Sequence, residues 1–98
     1  MTVEKNLNEK TLTMKVAGRL DTTTAPDLEA QIIESLEGVE ELVFDFEELE
    51  YISSAGLRVL LSSQKKMMNV GSMKVKKVPE TIMEIFEVTG FSDILTIE

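Results

Sequence analysis

The run YISSAGLRVLL, Tyr51 to Leu61, sets two adjacent serines ahead of an alanine, a glycine and a leucine-rich helical pattern. A serine at the start of a helix has two uses. Its oxygen can cap the helix by accepting from an N–H two or three residues on, which contributes about 1 kcal/mol. Alternatively its hydroxyl lies exposed at a loop-to-helix junction, where a phosphate placed on it would face free N–H groups and the positive end of the helix. Arg58 stands four residues after Ser54. Helical side chains lean toward the N-terminus, so its guanidinium can reach back to such a phosphate. Two carboxylates stand at comparable junctions. Asp21 reads as a turn or cap residue, and Asp45, closing an apolar run, as an acceptor for local backbone N–H groups.

The chemistry available is bounded by what is missing. The chain has neither histidine nor cysteine. The usual zinc and copper ligands are therefore gone, as are Ser-His and Cys-His nucleophile pairs. No glycine-rich phosphate cradle appears, so a small enzyme is disfavoured and no catalytic residue, metal or cofactor is assigned. No segment approaches the roughly 18 apolar residues of a bilayer span, and the N-terminus has no signal-peptide pattern. These features predict a cytoplasmic protein without membrane insertion. A net charge of -8 repels phosphate backbones and argues against nucleic acid as a partner. The charge is uneven: Tyr51 to Pro79 holds six basic residues and no acid, while the rest holds all 18 acids against four bases. That division gives either a solvated surface or a charged docking face for a protein partner.

The elements that must position these residues follow from hydropathy. With 98 residues, one core and one domain, 1–98, are expected. TVEKNL and TLTMKVAG alternate around Asn8-Glu9-Lys10, predicting an antiparallel hairpin that Gly18 ends. DTTTAPDLEAQIIESLEG predicts a helix capped by Thr24 or a neighbour, with Pro26 in its first turn, Leu28, Ile32 and Leu36 inward, and Gly38 closing it. ELVFDF is continuously apolar at Leu42, Val43 and Phe44, as in a central strand covered on both faces. A second helix lines up Leu57, Leu60, Leu61, Gln64 and Met68, with Met67 and Met68 as core filler, and ends near Asn69-Val70-Gly71. MKVKKV is a short strand with lysines on one face, Pro79 opens a third helix that Gly90 stops, and DILTIE forms a last strand. Later strands alternating with helices must be parallel, giving an α/β mixed sheet with three to four helices. In such sheets function gathers where strands hand over to helices, which places the Gly18–Ala25 and Ile52–Gly56 loops at one edge.

Those two loops carry a resemblance. GRLDTTTAPDL resembles the first signature of the STAS domain family, LVFDFEELEYISSAGLRVLL is similar to its second, and KVPETIMEIFEVTGFSDILTI to its tail. The resemblance spans nearly the whole chain and is to the domain as it occurs in bacterial anti-sigma factor antagonists. It implies a STAS-like fold and a binding module rather than an enzyme. Such an antagonist binds an anti-sigma factor that is also a serine kinase and so releases a sigma factor. The kinase then phosphorylates a serine opening helix 2, and a phosphatase restores the antagonist. By position the acceptor maps onto Ser54, with Ser53 as second choice, and the partner surface onto Asp21, Thr22, Thr23, Ser53, Ser54, Ala55, Gly56 and Arg58. Many antagonists carry Asp where this chain has Ser53. The resemblance also admits a STAS subunit that assembles or regulates a membrane lipid transporter or a stress-signalling scaffold, with the serine only a cap. For Asp21 it offers contact with the kinase or its nucleotide-bound metal.

Overall fold

Alternating apolar residues draw Thr2–Asn8 (β1) and Thr11–Leu20 (β2) into an antiparallel hairpin, in a computed structural model that describes residues 1–98. The chain continues as helix Ala25–Ser35 (α1), strand Glu41–Asp45 (β3), strand Leu49–Ile52 (β4), helix Ser54–Met68 (α2), strand Ser72–Lys76 (β5), helix Glu80–Thr89 (α3) and a 3-10 turn, Phe91–Asp93. The sheet runs β1-β2-β3-β5, and β4 pairs with β2 beyond the end of β3. β2 with β3, β3 with β5 and β2 with β4 are all parallel. This is the mixed α/β sheet with three helices that the pattern predicts.

Register makes the core continuous. Leu12, Leu42 and Met73 stand abreast across β2, β3 and β5, and Met14, Phe44 and Val75 form the next row. All six are buried. The middle strand is covered on both faces, since Leu42, Val43 and Phe44 are all inaccessible, as its unbroken apolar run requires. α1 sets Ala25, Leu28 and Ile32 into the same core, and α3 adds Ile82 and Phe86. No helix is long and apolar enough to cross a membrane.

Four details depart from the sequence reading. First, β2 does not end at Gly18. That residue takes a φ of 87°, open to glycine at little cost, and the register shifts between Gly18 and Arg19. Beyond this irregularity the strand resumes at Arg19 and Leu20, pairing with β4. Second, β4 itself was hidden in the acidic EELEYI stretch, whose Leu49 and Ile52 are buried while Glu50 and Tyr51 are exposed. Third, DILTIE is not a full strand. The N–H groups of Asp93, Ile94 and Leu95 are consumed by turn bonds to Gly90 and Phe91, so only the last residues pair, through an isolated parallel bridge between Val75 and Ile97.

Fourth, the buried face of α2 lies one residue away from the predicted stripe: Met67 is 1% exposed and Met68 71%. Gly56, Leu57, Val59, Leu60, Ser63 and Met67 face inward, while Leu61 and Gln64 are only half-buried. Ser63 obscures the period in the sequence because it is polar. Its hydroxyl donates to the Val59 carbonyl at 2.8 Å, so it is buried without an unmet donor. The helix register has a direct test by thermal or chemical unfolding. Met67→Ala should cost about 2 to 5 kcal/mol, whereas Met68→Ala should stay within about 0.5 kcal/mol of the parent. Equal losses would mean that the helix is rotated.

Candidate functional site

The shift at Gly18 is what builds the site. It turns the last residues of β2 toward β4, so Arg19 stands opposite Tyr51 and Leu20 opposite Ile52. One residue further, the Ser53 N–H donates to the Leu20 carbonyl at 2.9 Å. The two strand-to-helix loops are thereby fixed side by side, at the edge where topology placed them.

On the first loop Asp21 organises the entry to α1. Its Oδ1 accepts from the Thr23 N–H at 3.0 Å, the Thr24 N–H at 3.2 Å and the Thr23 hydroxyl at 2.7 Å. Thr24 Oγ1 in return accepts from the Asp21 N–H at 2.8 Å and donates to the Arg19 carbonyl at 2.9 Å. Thr24 occupies the position before the helix but makes no side-chain cap bond to it. The carboxylate is held below its ordinary range, chiefly by the Thr23 hydroxyl, then by the Thr23 and Thr24 N–H groups. Its other oxygen lies 3.7 Å from Arg19 Nε, and the Arg19 guanidinium stacks over the Tyr51 ring, 4.4 Å from its centroid. Asp21 is thus occupied within its own loop as a turn residue, leaving Thr22 and Thr23 as its exposed members.

On the second loop the two serines part company. Ser53 holds the N-cap position in extended geometry but makes no cap bond, and its Oγ is buried without a hydrogen-bond partner. Ser54 is the first helical residue and is exposed. Gly56 is buried where the helix start rests on the strand ends: a Cβ there would come within 2.8 Å of both Ile52 Cγ1 and Leu20 Cγ. Ala55 and Arg58 line a groove of about 300 Å³ between α1 and α2, facing Thr22, Pro26 and Glu29. Arg58 is exposed and has no carboxylate within 4.0 Å.

Of the sequence-derived residues, Asp21, Thr22, Thr23, Ser53, Ser54, Ala55, Gly56 and Arg58 all fall within this joined pair of loops and helix starts. Asp45 belongs elsewhere. It sits at the end of β3, accepts from the Glu47 N–H at 3.0 Å, and lies 4.0 Å from Lys77 Nζ. Arg19, Tyr51 and Glu29 escaped the sequence reading. Opposed Arg19 and Tyr51 become visible only once Leu49–Ile52 is seen as a strand.

Over residues 2–98 the sequence matches the family model of the STAS domain. The chain belongs to that family. This STAS domain is 28% identical over 96 residues to the anti-sigma-B factor antagonist of Bacillus subtilis, covering 97% of this chain and 88% of the relative. It is 34% identical over 82 residues to BtrV of Bordetella bronchiseptica, which carries an anti-sigma factor antagonist name, covering 82% and 71%. Its fold matches SpoIIAA in the unphosphorylated form with a TM-score of 0.85 at 17% identity, over 99% of this chain and 88% of that one. The phosphorylated form of SpoIIAA matches with a TM-score of 0.78 at 18% identity, over 99% and 91%.

Two variants test how this edge is held. Gly56→Ala should lower unfolding stability by about 1 to 3 kcal/mol, because the helix start must lift off Leu20 and Ile52; unchanged stability would mean that the seat is loose. Asp21 has a folded pKa below its unfolded value, so its contribution is complete above the unfolded pKa and fades as pH falls through the folded one. The stability gap between the parent and Asp21→Ala should therefore be constant from about pH 5 to 8 and shrink below about pH 4. A gap that widened in acid would contradict the assigned bonds.

Proposed function

We propose that this STAS domain is an anti-sigma factor antagonist. In the proposed cycle it binds an anti-sigma factor that is also a serine kinase, so that a sigma factor is released. Phosphorylation of Ser54 ends the interaction and a phosphatase restores it. The single observation that carries Ser54 over Ser53 is the contrast in exposure: the Ser54 side chain faces solvent at the start of α2, whereas Ser53 Oγ is enclosed. Support for the class comes from the relatives named as antagonists and from the match to SpoIIAA in unphosphorylated and phosphorylated forms. The partner surface comprises the exposed Thr22 and Thr23, the Ser54 turn and Arg58.

The magnitudes favour direct blockage. Helix-dipole and exposed ion-pair terms amount to roughly 0.3 to 1 kcal/mol each, too little to repack a core of this size. Forcing about two negative charges against a partner surface that offers them no donors of its own costs several kcal/mol. At about 1.4 kcal/mol per tenfold, affinity falls by orders of magnitude while the domain stays folded.

Incubation with the cognate anti-sigma kinase and ATP tests this reading. Mass spectrometry should find one added phosphate that is lost in Ser54→Ala and kept in Ser53→Ala. The modified protein should bind the kinase at least about a hundredfold more weakly, with backbone chemical shifts moving only near residues 50 to 60. Modification confined to Ser53, or shift changes throughout the domain, would overturn it.

A further inference from the structure

The basic segment from Tyr51 to Pro79 is not uniformly neutralised. Lys74 pairs with Glu41 at 3.2 Å and Glu98 at 3.5 Å, and Lys77 lies 4.0 Å from Asp45. Arg58 has no such partner, although it is the cation nearest in sequence to Ser54 and lies on the same helix. Residues four apart on a helix are neighbours, with Cβ atoms roughly 5 to 6 Å apart. An arginine at the C-terminal member of such a pair points back toward the first. The groove wall opposite, on α1, offers Glu29, and Asp21 at the neighbouring strand end is already engaged by Thr23, Thr24 and Arg19. An unpaired guanidinium, an exposed hydroxyl one turn away and a groove beside them therefore coincide.

We propose that Arg58 is a built-in receptor for a phosphate on Ser54, and that pairing draws it out of the groove between α1 and α2. This rests on Ser54 as the modified residue. Modification then changes the surface twice: it adds an anion at the helix start and removes the only cation lining the groove, leaving Glu29 as its charged side chain. Any helix start favours a phosphate through its free N–H groups; Arg58 adds a two-pronged, charge-assisted partner that this position on α2 supplies.

The test installs phosphoserine at position 54 by genetic encoding, so that it does not depend on any kinase. In phosphorus NMR the second ionisation of the phosphate, ordinarily near about pH 6, should have a midpoint lower by roughly 0.3 to 0.7 pH unit in the parent than in Arg58→Gln. The Arg58 Nε–Hε resonance should move as the phosphate loses its proton, and Arg58→Lys should recover part of the midpoint shift. Arg58 is exposed, so these variants should keep the fold, which the backbone spectrum checks directly. Identical midpoints in the parent and Arg58→Gln, or an Arg58 resonance indifferent to the titration, would overturn the pairing. Failure of the kinase to modify Ser54 would instead overturn the functional reading and leave this intramolecular pairing measurable.

Discussion

The two rungs that β2 forms with β4 after its register shift are the constraint on which the functional edge depends. Without them β2 would end beside β3 and its loop would enter α1 with nothing to meet. With them Leu20 and Ile52 become neighbours, the Ser53 N–H finds the Leu20 carbonyl, and α2 begins on top of the strand ends. Gly56 is the geometric counterpart of that seat, since no side chain fits between the helix and Leu20 or Ile52. The position of Ser54 is therefore an outcome of backbone pairing and core packing. It owes nothing to the capping bond that a serine at this point would ordinarily supply.

Much of the fold was legible because it rests on patterns that read locally. The hairpin alternation, the Leu42-Val43-Phe44 run and the Leu28-Ile32 spacing each state which face is buried. What stayed hidden rests on bonds between distant residues. Gly18 reads as a stop because glycine usually is one, and only the partner strand makes it an irregularity that the strand passes through. Leu49 to Ile52 is too short, and follows too closely on Glu47 and Glu48, to declare itself a strand. Ser63 broke the apolar period of α2, its hydroxyl satisfied by a carbonyl one turn back, and so shifted the expected face from Met67 to Met68. Hydrogen bonds within the final turn likewise left too few free groups for DILTIE to pair as a full strand.

The site was legible in membership more than in roles. Asp21 reads from its residue type as a turn or cap residue with partner contact as the alternative, and its carboxylate is committed to Thr23, Thr24 and Arg19. The serines were equivalent as letters and differ as surfaces, one enclosed and one exposed. Such distinctions depend on where a side chain of two heavy atoms points, which a helix boundary decides and composition cannot. The same geometry keeps the recognition edge continuous with the core: Leu20, Ile52 and Leu57 are all buried immediately beneath exposed groups. A partner would meet a preformed surface, with little chain to order on binding.

The stack of Arg19 on Tyr51 has a consequence of another kind. The chain holds one tyrosine and no tryptophan, and that tyrosine lies on the strand leading into the serine turn. Its ultraviolet emission is therefore not averaged over the molecule. The guanidinium over its ring and the solvent on its open side set its intensity, so any event that disturbs this corner carries its own optical signal, with no dye attached and no tryptophan to mask it.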